Sequence, residues 1–226
     1  MNAIRVFLEM GQKRVFAGAL DWPGWCRSGR DEASALQALV DYSARYAQAL
    51  QIVGIDFPAP AAASDFSAVE RHAGSATTDF GAPGIIPAAD REPLDRVEFE
   101  RLQKILQACW GAFDQAAQRA VFKELRKGPR GGGRDLDSIL EHVLGAEQAY
   151  LGRLAWKLRT EDAHDSLAAL SQTRRAVLAA LAAGMHGDLP EHGPRGGAVW
   201  PLRYFIRRSA WHVLDHAWEI EDRIEN

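Results

Sequence analysis

The sequence predicts an α+β protein: a small N-terminal sheet-plus-helix module, a linker, and an up-down-up-down four-helix bundle. Three observations carry this. Apolar residues within 4–20 alternate or run together at strand period. Residues 56–92 are dominated by Ala, Pro, Gly, Ser and Asp, a loop composition. From Pro93 onward the apolar residues repeat at helical period over four long stretches. The boundaries that follow are 1–75 for the module, 76–92 for the linker and 93–226 for the bundle.

In the module, IRVFLEMGQKRVFAGAL reads as two strands joined by a turn at Gly11-Gln12-Lys13. The stretch DWPGWCRSGRD has room for a short third strand. Asp31 is placed to cap a helix whose apolar face runs through Leu36, Leu39, Val40 and Ala47. A further strand is expected at 66–72, FSAVERH. The four bundle helices are expected over about 93–125, 136–158, 164–183 and 200–224.

Composition narrows the function. The chain has 226 residues, 47% hydrophobic and 25% charged, with a net charge of −3. No basic field attracts nucleic acid, and no run approaches the length of a membrane span, so neither partner is expected. The charged N-terminal stretch lacks the apolar centre of a signal peptide, which points to the cytoplasm. Cys26 and Cys109 are isolated, too few for a disulfide framework or a zinc ribbon. Arg27 and Arg30 beside Cys26 would favour its thiolate, but no base for a catalytic thiol is evident. Trp22 and Trp25 around Pro23-Gly24 form either core or an apolar binding patch.

The chemistry concentrates in the histidines. His212 and His216 stand four apart, so both rings leave one helix face and can reach one metal ion. A core pair would look the same in sequence. His142 lies among Ile139, Leu140, Val143 and Leu144 of the second bundle helix. If the second and fourth helices run parallel, it meets His212 in the same layer. Gly145, Ala146 and Ala149 are small enough to leave a cavity beside it. His72, His164, His186 and His192 fall in loops or at helix edges and read as surface residues.

The segments 141-EHVLGAEQAYL-151 and 211-WHVLDHAWEIEDR-223, in that helix order, resemble the DinB-like superfamily, which includes the YfiT-like proteins and bacterial thiol-dependent transferases and isomerases. The resemblance spans about residues 95–226 and implies a divalent metal on His142, His212 and His216. Zinc is the first expectation, with nickel or iron as alternatives. It implies a low-molecular-weight thiol as a second cofactor, a small-molecule substrate, and thiol S-transfer or thiol-dependent isomerisation. Metal-dependent hydrolysis and a non-catalytic, metal-stabilised interaction scaffold remain alternatives. Where related sequences continue with another histidine, this chain has Glu219 and Asp222. Glu219 is the candidate catalytic residue, orienting a ligand or moving a proton. Asp215 and Glu141 are candidates to hold imidazole N–H groups.

Residues 128–132 and 193–197 both read GPRGG, one leading into the second bundle helix and the other into the fourth. With parallel helices, Arg130 and Arg195 would gather with Arg134 at one end and bind an anionic substrate or thiol cofactor. Two flexible turns with solvated arginines is the alternative. The segment 5–39, with its Pro-Gly-Trp stretch, resembles the HicB-like antitoxin fold. No basic tail or helix-turn-helix accompanies it, so a role in covering the bundle, shaping a pocket or forming a homodimer is expected.

Overall fold

The computed structural model describes residues 3–128, 133–158, 165–193 and 196–225. Strands β1 (Ile4–Met10), β2 (Val15–Ala19), β3 (Cys26–Gly29) and β4 (Phe66–Ala73) form one sheet in the order β3-β2-β1-β4. β1 and β2 make the expected hairpin, with Met10 opposite Val15 and the turn closed by Gly11 N–H donating to Arg14 O. β4 lies parallel to β1, so the chain must cross the sheet between them. Helix α1 (Glu32–Gln51) makes that crossing. It begins where Asp31 accepts a hydrogen bond from Ser34 N, at 2.8 Å. Trp25 is fully buried against Tyr46, Phe57 and Phe66 and donates its indole N–H to Leu39 O. Of the two readings of the Trp-Pro-Gly-Trp stretch, Trp25 therefore follows the core one. Cys26 is buried as well, and burial pushes its thiol up to about 12, so the adjacent arginines do not activate it.

Residues 76–92 are tied down along their length. They hold a short helix, α2 (Ala76–Phe80). Buried Glu9 of β1 accepts hydrogen bonds from Gly84 N, Ile85 N and the Thr78 hydroxyl. Glu70 of β4 accepts from Ala88 N and Ala89 N. The segment is a strap between the sheet and the C-terminal helix.

Four long helices follow: α3 (Arg96–Ala120), α4 (Leu136–Arg153), α5 (Ser166–Met185) and α6 (Leu202–Arg223). α3, α4 and α6 are somewhat shorter than their sequence patterns, and α5 is displaced two residues toward the C-terminus. α3 starts at the Asp95 cap rather than at Pro93, and ends where Phe122 adopts a left-handed φ of 62°. α4 stops at Arg153, two residues before Ala155 takes a φ of 54°. The apolar residues of α3, α4, α5 and α6 join those of the sheet and α1 in one continuous core.

The helix directions differ from the alternating order expected. Arg203 pairs with Glu98 near the starts of α6 and α3, and Arg119 pairs with Glu221 near their ends, so these two run parallel. α4 runs against them: Arg223 at the end of α6 donates to Arg134 O just before α4, while Trp200 N before α6 donates to Arg153 O at the end of α4. α5 ends beside the start of α6, since a Cβ on Gly184 would meet the Leu202 side chain at 2.7 Å. The order is up-down-down-up. Trp156, Lys157 and Leu158 lie beside Gln172 and Ala176, so the chain after α4 runs back along α5 instead of making a tight hairpin.

Between α4 and α5, Glu147 is almost wholly buried and faces the Arg174 guanidinium, which also reaches Asp114 of α3 at 2.7 Å. Burial pushes the Glu147 carboxyl up to about 7, with Arg174 opposing the shift. A carboxyl raised in the folded state binds its proton more tightly folded than unfolded. Its effect on stability is therefore fully favourable below the ordinary carboxylate range and is lost as pH rises towards about 7. Denaturation midpoints followed across that window should fall more steeply with pH in the wild type than in Glu147→Gln. Parallel curves would rule the effect out.

Candidate metal centre

α6 is the structural centre of the site because it is buried on most of its circumference. Its Trp211 side packs against Phe16 of the sheet. Trp218 packs against Tyr42 of α1. What remains is one stripe, Arg208-His212-His216-Glu219-Arg223, at i, i+4, i+8, i+11 and i+15. α4 meets that stripe through His142 and Tyr150, whose rings lie 5.1 and 5.7 Å from that of His212, while Gly145, Ala149 and Gly152 are exposed on another side of α4. Because α4 and α6 are antiparallel, the early turns of α4 face the later turns of α6, and His142 arrives at His212 and His216.

The three histidines converge. One ring nitrogen from each lies within 4.8 Å of the other two, and the three could hold a metal ion. His142 Nε2 and His212 Nε2 are 3.2 Å apart. Two nitrogens bound tetrahedrally at zinc-like distances are separated by about 3.3 Å, so the spacing fits shared coordination. His216 sits with its ring 4.7 Å from that of His212 and 4.8 Å from that of His142. Its Nδ1 bonds Glu219 Oε2 at 2.8 Å, which leaves Nε2 for the cluster. Burial, followed by the His216 charge, pushes both His142 and His212 below the ordinary histidine range, favouring the neutral, ligating form.

Glu219 accepts from Arg223 at 2.7 Å through its other oxygen, so both carboxylate oxygens are engaged. The hydrogen bond with His216 and the Arg223 guanidinium hold its carboxyl below the usual carboxylate range. This is the geometry of a residue that orients His216, not of a free base. The His212 ring is held by packing: it meets Tyr150 edge-on at 5.7 Å and lies 6.1 Å from Trp211, while its buried Nδ1 has no partner among the described residues. Sequence reasoning did not single out Tyr150; its only local signal is that it stands eight residues past His142, about two turns along α4.

Other candidates fall elsewhere. Asp215 pairs with Arg27 of β3 at 2.8 Å, on the sheet side of α6, so it does not hold an imidazole. Glu141 is exposed on α4. His72 bonds Glu70, and His192 forms an isolated bridge with Ala198. His164, Arg130 and Arg195 lie outside the described residues. Of the described residues in or beside the two GPRGG stretches, Gly133 abuts Arg223 at the end of α6, whereas Gly193 and Gly197 lie beside Gly152 and Arg153 at the end of α4. The antiparallel relation of α4 and α6 is the reason. Arg134 does lie close enough to lower both His142 and His212 electrostatically.

A Cβ at Gly145 or at Gly152 would meet nothing within 4 Å. Farther along the same face, Gln148, Ala149, Gly152, Arg153, Gly193, Gly197 and Ala198 line a cavity of about 660 Å³. No helix among the described residues is long and apolar enough to cross a membrane. Comparison with protein-family models, curated proteins and solved structures found no match to this chain.

Proposed function

We propose that the chain is a metal-dependent enzyme of the DinB-like kind, performing thiol S-transfer or thiol-dependent isomerisation on a small electrophilic or anionic substrate. The observation that carries this reading is the convergence of His142, His212 and His216, one ring nitrogen from each within 4.8 Å of the others. Three neutral imidazoles, with no fourth ligand among the described residues, are a donor set suited to a catalytic ion. A divalent cation held there, zinc first and nickel or iron next, would lower the pKa of a thiol or water beside it.

The chain's own groups do the rest. Glu219 fixes the His216 tautomer by accepting from Nδ1, and Arg223 keeps that carboxylate ionised. Tyr150 and Trp211 hold the His212 ring against rotation. The α1 and sheet side of α6 excludes water from behind the cluster. The motifs at 141–151 and 211–223 favour a thiol over water as nucleophile, and hydrolysis is the second reading. A purely structural centre is ordinarily closed by a fourth protein ligand, and the three-histidine set found among the described residues argues for a reacting one.

Cobalt-substituted protein tests the reading. Adding cysteine as a small thiol should produce a sulfur-to-cobalt charge-transfer band and shift the visible spectrum. An unchanged spectrum, together with ester hydrolysis by the same sample, would transfer the proposal to water as nucleophile. Failure to take up cobalt would remove both readings.

A further inference from the structure

α6 carries four arginines besides its histidines, and three are neutralised. Arg203 pairs with Glu98, Arg207 with Asp90, and Arg223 with Glu219. Arg208 is different. Among the described residues it has no carboxylate partner; it donates to Pro83 O at 2.6 Å and lies beside the Tyr150 hydroxyl. Its guanidinium is half-buried, 4.6 Å from the Trp211 ring centre and 5.6 Å from that of Tyr150. Tyr150 is also the ring that packs on His212. Arg208 and His212 are therefore neighbours on one stripe, separated by one helical turn, about 6 Å of rise. The other charged groups facing this place are cationic or spoken for: Arg134 stands near the cluster, and Glu219 is engaged by His216 and Arg223.

A guanidinium offers five N–H donors in a planar fork that matches a carboxylate. One donor goes to Pro83 O and another faces the Tyr150 hydroxyl, which leaves the remaining N–H groups for a planar anion. We propose that Arg208 anchors the carboxylate of a small organic acid whose other end reaches the His142/His212/His216 cluster. The far end rests on the metal reading given above, and the anchoring of the carboxylate does not. The spacing calls for a compact acid with a few carbons between its two polar ends, and the Tyr150 and Trp211 rings would flank that carbon chain.

The test uses the full chain loaded with zinc and titrated with succinate by calorimetry, with zinc content measured on every sample. Wild type should bind succinate, and Arg208→Gln should weaken it by about tenfold or more, as expected for losing a charged hydrogen-bond pair. Arg208→Lys should recover part of the loss. Tyr204→Phe removes another tie to the strap, the hydrogen bond to Gly84 O, without touching the guanidinium, and should leave succinate binding unchanged. Equal binding by wild type and Arg208→Gln would overturn the proposal. So would a loss in Tyr204→Phe as large as in Arg208→Gln, because the effect would then act through the strap. Binding of inorganic phosphate but not succinate would also overturn it. A sample that carries no zinc yet loses succinate binding with Arg208→Gln keeps the anchor and removes the metal reading.

Discussion

His216→Ala is expected to purify without metal, against about one equivalent per chain for the wild type, when neither a chelator nor a histidine tag is used. The size of the effect follows from the donor count. Removing His216 leaves two imidazoles, His142 and His212, and also frees Glu219 from its nitrogen partner. Glu219→Gln should act less severely. It keeps all three nitrogens but loses the charged acceptor that fixes one of them, a change that ordinarily costs about 10–100-fold in metal affinity. Elemental analysis of the three proteins, with circular dichroism to establish folding, makes the measurement. Because His216 is buried, His142→Ala, at a more exposed position on α4, provides a second variant less dependent on core packing. Full metal content in both histidine variants would show that the ion is held elsewhere. A wild type that neither carries nor takes up metal would make the cluster a set of packed, hydrogen-bonded rings.

The triad could be read from sequence because its two signals are local. The spacing of His212 and His216 needs only the geometry of one helix, and His142 sits in a strongly apolar helical pattern. How the helices bring them together was not readable. The alternating order assumed for the bundle makes the second and fourth helices parallel, and a parallel pair could also have aligned His142 with His212. The structure reaches the same meeting with antiparallel helices. That difference decides what surrounds the triad: Gly133 lies near the end of α6 and Gly193 near the end of α4, with Arg134 and Arg208 the arginines whose charges reach His212. The direction of α5 depends on residues 154–158 running back beside it, and nothing in their composition distinguishes that path from a hairpin.

The strap was hidden for a related reason. Residues 76–92 are rich in small and turn-forming types, and that composition describes a tethered strap as well as a free linker. Their anchors are distant in sequence: Glu9, Glu70, Tyr204, Arg207 and Arg208. Single acidic and basic residues scattered through a chain give no periodic signal. Asp215 shows the converse error. Its position between two histidines suggests service to the imidazoles, but it lies a third of a turn away from their shared stripe and meets Arg27 instead.

The strongest of these anchors carries the largest expected effect on stability. Asp90 and Arg207 are both buried, and they pair through two contacts of 2.8 and 2.7 Å. Arg207 also donates to Ala19 O and Leu20 O at the end of β2, so one guanidinium joins the strap, the sheet and α6. Asp90→Ala leaves that cation buried with only the two carbonyls. Removing one partner of a buried pair typically costs about 3–5 kcal/mol. A folded domain has only about 5–15 kcal/mol in total, so the variant should be marginal and its urea midpoint should fall sharply. Replacing both residues with apolar ones, Asp90→Leu with Arg207→Met, should cost less than the sum of the single changes, because no charge is then stranded. Tryptophan fluorescence during urea denaturation reads the wild type, Asp90→Ala, the two single changes and the double variant. A midpoint for Asp90→Ala equal to that of the wild type would mean that water reaches Arg207 and that the strap is not clamped there. If the clamp is as strong as its burial implies, the sheet module and the helix bearing His212 and His216 unfold together, and the metal centre cannot be retained by the helices once the sheet is lost.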